Sequence, residues 1–417
     1  MREDIKKRIE AVRQGEVPDG YLRTRAGMMP LDWQSNLAAK DMFCNHTNKR
    51  HNGEFQVLSA TQDRGIIPRN EVDIDIKYAE ENIGSYKKVE AGDFVISLRS
   101  FQGGIEYSEY NGLVSPAYTV LKATKPISDN YYRAYFKTPD FISRLNGAVY
   151  GIRDGKQIGF EDFGELAVHY PPLAEQQKIA EILATCDRVI GLKQRLLEEK
   201  RRQKQWLMQN LLDPDSGVRM PGFEKSEWID VLLGDECYMF SGGTPKAGKD
   251  EYYVDGTIPF IRSGEISNIS TELFLTEAGY ENCSAKIVEV GDILYALYGA
   301  NSGDCSISKM GGAINQAILC IRPKVLNREL LYHVLCMLKE KIVTTYLQGG
   351  QGNLSAEIIK KLVITIPADS NYQQAIVRKL TIADKEIDLY ENELDMWQQK
   401  KKALMQLLLT GLVRVNV

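Results

Sequence analysis

The stretch "AIVRKLTIADKEIDLYENELDMWQQKKKALMQLLL", residues 375–409, decides how this chain folds. Ile376, Leu380, Ala383, Ile387, Tyr390, Leu394, Trp397, Leu404 and Leu408 recur in alternating steps of four and three, with Lys401 at the one polar position. A repeat averaging 3.5 residues is the mark of a helix seamed to another helix. One long helix is therefore expected here, and its partner must lie elsewhere in the chain.

The partner lies 197 positions upstream, where Ile179, Leu183, Cys186, Ile190, Leu197, Leu207 and Leu211 hold the matching places. Lys193, Lys200 and Lys204 interrupt this first seam, so the pairing is expected to be asymmetric. Each helix of nearly forty residues would span about 60 Å at 1.5 Å per residue. Prolines in "HYPPLAEQQ" and "TIPADSNYQQ" end a strand and open each helix, and "DPDSG" closes the first one.

The repeat extends beyond the helices. Trp33 and Trp228 stand 195 positions apart, "VEAGDFVISL" and "VEVGDILYAL" align at 199 through Gly92 and Gly291, and "LMQNLL" and "LMQLLL" at 197. The register is expected to continue without a gap, matching Gly104 to Gly303 and Gly112 to Gly311. Both glycine turns read as structural. An internal repeat of this kind sets the architecture.

The fold class expected is α+β, with two tandem mixed domains, each followed by a long helix. The segments are an N-terminal amphipathic helix (1–20, with Ile5, Ile9 and Val12 on one face), domain one (21–173), the central helix (174–213), domain two (214–368) and the distal helix (369–412). Because a domain lies between the helices, they are expected to pair as an antiparallel coiled coil in a pseudo-twofold dumbbell.

Bulk properties narrow the function only by exclusion. The net charge of −4 and pI near 5.8 give no whole-molecule basic field. No run of about eighteen apolar residues would span a membrane, and no apolar leader opens the chain. Seven cysteines without a C-x-x-C suit reduced thiols, so a cytoplasmic location is expected. In "CNHTNKRH", Cys44, His46 and His51 fall one ligand short of a structural zinc site, and no metal is expected.

Catalytic patterns are missing too. There is no H-E-x-x-H, no G-x-S-x-G, and only four histidines. "HYPPLAE" lacks the Asp or Asn that opens the catalytic loop of an adenine methyltransferase. "SGGTPKAGKD", residues 241–250, carries the G-x-x-x-x-G-K spacing of a phosphate loop through Gly243, Gly248 and Lys249. Asp250 then stands where a hydroxyl should meet Mg²⁺, placing a negative charge among phosphate oxygens. The loop reads as a binding loop, not a nucleotide cradle.

The chemistry the sequence does offer lies in polar, aromatic and cationic loops beside glycines. Arg and Lys suit guanine or phosphate, and Asn and Gln suit adenine. In domain one these are Gln62, Arg64, Arg69, Arg99, Phe101, Gln102, Arg153, Lys156 and Gln157. Those of domain two are Thr244, Lys246, Lys249, Tyr252, Tyr253, Arg262, Tyr298, Asn301, Ser302, Gln348, Gln351 and Asn353.

With these residues in view, the chain resembles the specificity subunits of type I restriction-modification enzymes over essentially its whole length. The resemblance rests on "PPLAEQQKIAEILATCDRVIGLKQRLLEEKRRQKQWLMQNLL", its echo "KKKALMQLLLTG", "SGGTPK" and "RSFQGGIEYSEYNGLVSPAYTVLK". It implies that each domain reads one half of a split double-stranded DNA site, while the helices set the spacing and hold two methyltransferase subunits. The implied cofactors lie in the partners: S-adenosylmethionine with the adenine methyltransferase, ATP and Mg with a motor-nuclease subunit. The chain itself would be non-catalytic. One departure is that Tyr372 stands where the first helix has Glu175.

Overall fold

The structure, a computed structural model, describes residues 3–61, 63–72, 80–97, 104–148, 158–246, 248–347 and 353–417. By contacts the chain forms two compact units: residues 1–192 with 394–417, and residues 193–393. Each unit therefore takes one globular domain and part of both long helices.

In the first unit, helix α1 (Glu3–Arg13) precedes a four-stranded sheet of β1 (Phe43–Asn45), β2 (Phe94–Ile96), β3 (Ile105–Tyr107) and β4 (Thr119–Ala123). The sheet order is β1-β4-β2-β3, all antiparallel. Helix α2 (Asp129–Tyr135) covers one face with Tyr131, Tyr132 and Tyr135, which pack with Phe43, Phe94, Phe136 and Phe141 in a buried aromatic core. Edge-on geometry recurs in this cluster, as between Phe43 and Phe94 with centroids 5.9 Å apart.

Helix α3 (Leu173–Leu211) enters this core through Ile179, Ala180 and Leu183. Four strands of the second unit repeat the plan: β5 (Cys237–Ser241), β6 (Ile293–Ala296), β7 (Cys305–Ile307) and β8 (Ile318–Pro323), ordered β5-β8-β6-β7. Helix α4 (Arg328–Leu347) covers them through Leu330, Leu331, Val334 and Leu335. Helix α5 (Ser370–Leu409) completes both cores, Ile376 and Leu380 joining the second and Leu408 and Leu409 the first.

The start of α3 thus packs with the end of α5 in one unit, and the end of α3 with the start of α5 in the other, which is the antiparallel pairing. Of the seam residues, Ile179, Leu183, Leu197, Leu207, Ile376 and Leu380 are buried, and Ile190, Ile387, Leu394, Trp397 and Leu404 are half-buried.

The lysines in the seam turn out to be part of the pairing. Lys193 meets Glu393 at 2.6 Å, Lys200 meets Glu386 at 2.7 Å, and Lys204 pairs with Asp384, each carboxylate lying on the other helix. In the first unit Lys401 pairs with Asp187 in the same way. The aliphatic stems stay against the seam while the ammonium groups reach its edge. Ion pairs this exposed contribute little stability, but a cation opposite a carboxylate at one place only disfavours a slipped register.

The repeat is closer in space than in sequence, with one correction. Gly92 and Gly291 both adopt positive φ and donate to Ser108 and Ser308 respectively, and Asp93 and Asp292 cap the same turn at 2.8 Å. Ser97 donates to the Gly104 carbonyl, and its counterpart Ala296 donates to that of Asp304, so the offset has risen from 199 to 200. Gly112, which opens the strand Gly112–Val114, corresponds to Gly312, which opens Gly312–Ile314, and not to Gly311. The connection after β6 holds one extra residue, which a gapless alignment misses.

Candidate nucleic-acid interface

Several of the loops singled out in the second domain are tied to one end of its sheet. The Leu297 amide donates to the Ala317 carbonyl at 2.8 Å, and the Leu297 carbonyl accepts from the Leu354 amide at 3.1 Å and the Ser302 hydroxyl at 3.3 Å. Segments around 298–302, 315–317 and 353–354 therefore meet. The "SGGT" loop joins them: the Gly242 amide donates to the Asn315 carbonyl at 3.2 Å, and the Thr244 hydroxyl donates to Gln316 Oε1 at 2.7 Å. A Cβ on Gly242 would lie 1.7 Å from the Ile314 carbonyl oxygen, and one on Gly243 2.0 Å from Ser284 Oγ. The glycines serve close packing of this loop on the sheet.

Of the candidates in domain two, Thr244, Lys246, Lys249, Arg262 and Asn353 are exposed, Asn301 and Tyr298 half-buried, and Tyr252 and Ser302 buried; the hydrogen bonds above bring together the segments that hold Thr244, Tyr298, Asn301, Ser302 and Asn353. Tyr252 is held by its own loop, with Lys249 Nζ 3.1 Å from its hydroxyl, and Tyr253 packs against the buried cluster of Phe260, Leu275, Ala285 and Ala313. Lys249 also pairs with Glu251 at 3.1 Å, and Asp250 opens only the short turn Asp250–Tyr252. No phosphate-binding helix follows the loop among the described residues. Gln348 and Gln351 lie outside the described residues.

The Arg262 side chain makes three hydrogen bonds through two of its nitrogens. Its guanidinium meets Glu265 through Nε at 3.0 Å and Nη2 at 2.8 Å, and Glu272 at 2.9 Å. Those hydrogen bonds hold the Glu265 carboxyl down at about 2 and raise the guanidinium further. Glu265 therefore contributes stability that is complete above its ordinary value of 4.5 and is lost as pH falls toward about 2. Arg262→Ala is expected to return the Glu265 titration upward and to move acid unfolding of the second unit to higher pH. Carboxyl NMR titration checks this, and an unmoved Glu265 would contradict the assignment.

In the first domain Arg64 donates to the Glu71 carbonyl at 3.0 Å and Arg69 Nε to Ser59 Oγ at 3.1 Å, so both guanidinium groups brace the hairpin that carries them. Gln62, Arg99, Phe101, Gln102, Arg153, Lys156 and Gln157 lie outside the described residues. His51 has Nε2 3.0 Å from the Tyr86 carbonyl and Nδ1 accepting from Gly53, which occupies both ring nitrogens. Among the described residues no three His, Cys, Asp or Glu side chains gather as a metal would need, and no helix is long and apolar enough to cross a membrane.

Two residues escaped sequence reasoning. Gln316 sits in an ordinary-looking "NQA" turn, and only its hydrogen bond to Thr244 brings it to the rim. Arg414, in the tail after α5, donates to buried Glu175 at 2.7 and 2.9 Å and to Asp32 at 2.8 Å through both of its terminal nitrogens. Trp33 Nε1 donates to the same Glu175 at 2.9 Å. In the second unit Tyr372 takes the place of Glu175, stacked on Phe223 with centroids 4.7 Å apart and edge-on to Trp228. Arg219 lies over Trp228, as Arg414 does over Trp33.

Two domains of one sheet order, each joined to a paired long helix, the second with polar loops gathered at one end of its sheet, are the plan of a tandem recognition protein. The family model described as the type I restriction modification DNA specificity domain matches residues 35–199 and 225–396, and the chain belongs to that family. It is a specificity subunit of the type I class, which acts on DNA and assembles with other subunits.

The chain is 29% identical over 432 residues to the putative type I restriction enzyme MjaX specificity subunit of Methanocaldococcus jannaschii, covering 95% of this chain and 97% of that one. It is 23% identical over 354 residues to the type I restriction enzyme MjaVIII specificity subunit of the same organism, covering 79% and 80%. The fold matches that of the type I restriction-modification S subunit from M. genitalium with a TM-score of 0.55 at 14% identity, covering 92% of this chain and 96% of that one. A chain from a type I R-M assembly study matches at 0.59 and 14% identity, covering 92% and 99%.

Proposed function

We propose that this chain directs adenine methylation to a split DNA site, each globular domain reading one half. The observation that carries this reading is the duplication itself: two domains of the same sheet order, placed on one helix pair by a repeat in the chain. The rim of domain two carries exposed Thr244 and Asn353, with exposed Lys246 following in the same loop, residue types suited to phosphates and base edges.

The helices also offer a surface for two methyltransferase subunits. Outside the seam, Ile382, Leu389 and Met396 are exposed at seven-residue intervals on α5, and Leu192, Leu196 and Trp206 are exposed on α3. Apolar and aromatic side chains left open on a helix face suit a partner's helices. Those subunits would bring S-adenosylmethionine and extrude the target adenine. A motor-nuclease subunit, where present, would bring ATP and Mg, and the chain alone would transfer no methyl group.

Modification sequencing of host DNA with and without the gene tests the reading. Methylation of one split adenine motif is expected to vanish on deletion. An unchanged methylome from cells that express both this chain and its partner subunits would overturn it, as would methyl transfer by the purified chain alone.

A further inference from the structure

Gln316 stands at the crest of a turn that is held from both sides. Asn315 fixes the turn from within, its Oδ1 accepting from the Ala317 amide at 3.0 Å, while the Asn315 and Ala317 carbonyls accept from Gly242 and Leu297. The Gln316 side chain is exposed, and yet it is not loose, because Thr244 donates to its Oε1 at 2.7 Å. A carbonyl oxygen has two lone pairs, so Oε1 keeps one for another donor and Nε2 keeps both of its hydrogens. An oriented donor–acceptor pair on a rigid crest is what a bidentate contact to adenine N6 and N7 requires. Orientation in advance of binding also spares the entropy of ordering a long side chain.

The first domain builds the same turn differently. There Ser115 takes the place of Asn315, accepting from the Ala117 amide at 3.3 Å, and the crest residue is Pro116. Proline offers no side-chain hydrogen bond, so the turn itself does not call for an amide. The shared backbone accounts for the turn, and the glutamine with its threonine is an addition of the second domain.

We infer that Gln316, oriented by Thr244, reads an adenine in the half-site bound by the second domain, with Thr244 acting as a positioning residue. The inference rests on the function proposed above and names a specificity-determining side chain within it.

The test compares the complex of this chain with its methyltransferase subunits, wild type and variant, on duplexes carrying every base pair at each position of the motif. Gln316→Ala is expected to relax one position of the second half-site, normally A·T, reducing discrimination there by about 5- to 100-fold. The first half-site should be unaffected. Thr244→Val should relax the same position more weakly, and Thr244→Ser should restore it. If the wild-type complex methylates a split motif but Gln316→Ala leaves every position unchanged, or relaxes a G·C pair, the inference falls while the proposed function stands. If the wild-type complex methylates no split motif, it is the proposed function that fails.

Discussion

Arg414→Ala is expected to destabilise the first unit by about 3 kcal/mol, the lower end of the cost of unpairing a buried charge. Glu175 is buried, with a side chain only 2% exposed, and Arg414 supplies two of its three hydrogen bonds. The lower end applies because Arg414 itself is 35% exposed and Trp33 still donates to Glu175 in the variant. Asp32 would lose its partner as well, and its carboxyl, now held below its usual value by Arg414, would rise. Urea unfolding followed by tryptophan fluorescence should show the transition of the first unit, which holds Trp33 and Trp397, shifted, and that of residues 193–393, which hold Trp206 and Trp228, in place. Adding Glu175→Leu to Arg414→Met should recover part of the loss, since no buried charge is then left unpaired, while the Trp33 indole N–H loses its acceptor and exposed Asp32 its partner. A first transition that does not move would show that the fork carries no stability.

Gly242→Ala should abolish recognition of one half-site while leaving the protein folded. Its Cβ would lie 1.7 Å from the Ile314 carbonyl oxygen, a backbone atom inside the sheet that cannot swing aside. The loop must therefore lift, breaking the Gly242–Asn315 bond and separating Thr244 from Gln316. Methylation of the split motif is expected to fall at least about 100-fold, because loss of specific contacts leaves only the far weaker non-specific attraction to DNA. Initial rates on a defined duplex, alongside sedimentation of the assembled complex, check the result. A normal rate with an intact complex would show that this loop does not touch DNA.

Both predictions concern contacts that no local pattern announces. The seam was legible because a 3.5-residue repeat persists over ten positions in each helix, and residues such as Ile179 and Ile376 accordingly lie wholly buried. The lysines of that seam were legible only as interruptions, since their partners Glu386 and Glu393 lie 186 and 200 positions away. The paired turns at Gly92 and Gly291 were legible because glycine at positive φ followed by a capping Asp is a local device. The one-residue insertion after β6 was not, because hydrogen bonds between strands, and not residue identities, mark it.

At the candidate site the same division holds. The glycines and the threonine of "SGGTPK" stood out by composition, and their packing on the sheet accounts for them. Tyr252 and Ser302 looked equally polar in sequence but lie inside the fold, and nothing in their neighbours distinguishes an inward-facing hydroxyl from an outward-facing one. Gln316 carried no signal, since one glutamine in a turn is common.

The sequence by itself determined the duplicated architecture, the two long helices with their seam, and the family to which the chain belongs, because periodicity and repetition are properties of order along the chain. Only the tertiary structure decided which carboxylate answers each seam lysine, that Arg414 of the tail completes the core around Trp33 and Glu175, and that Thr244 orients Gln316. Each of those depends on direction and distance between residues far apart in the chain, and the energy of a buried charge or an oriented amide is set by that geometry alone.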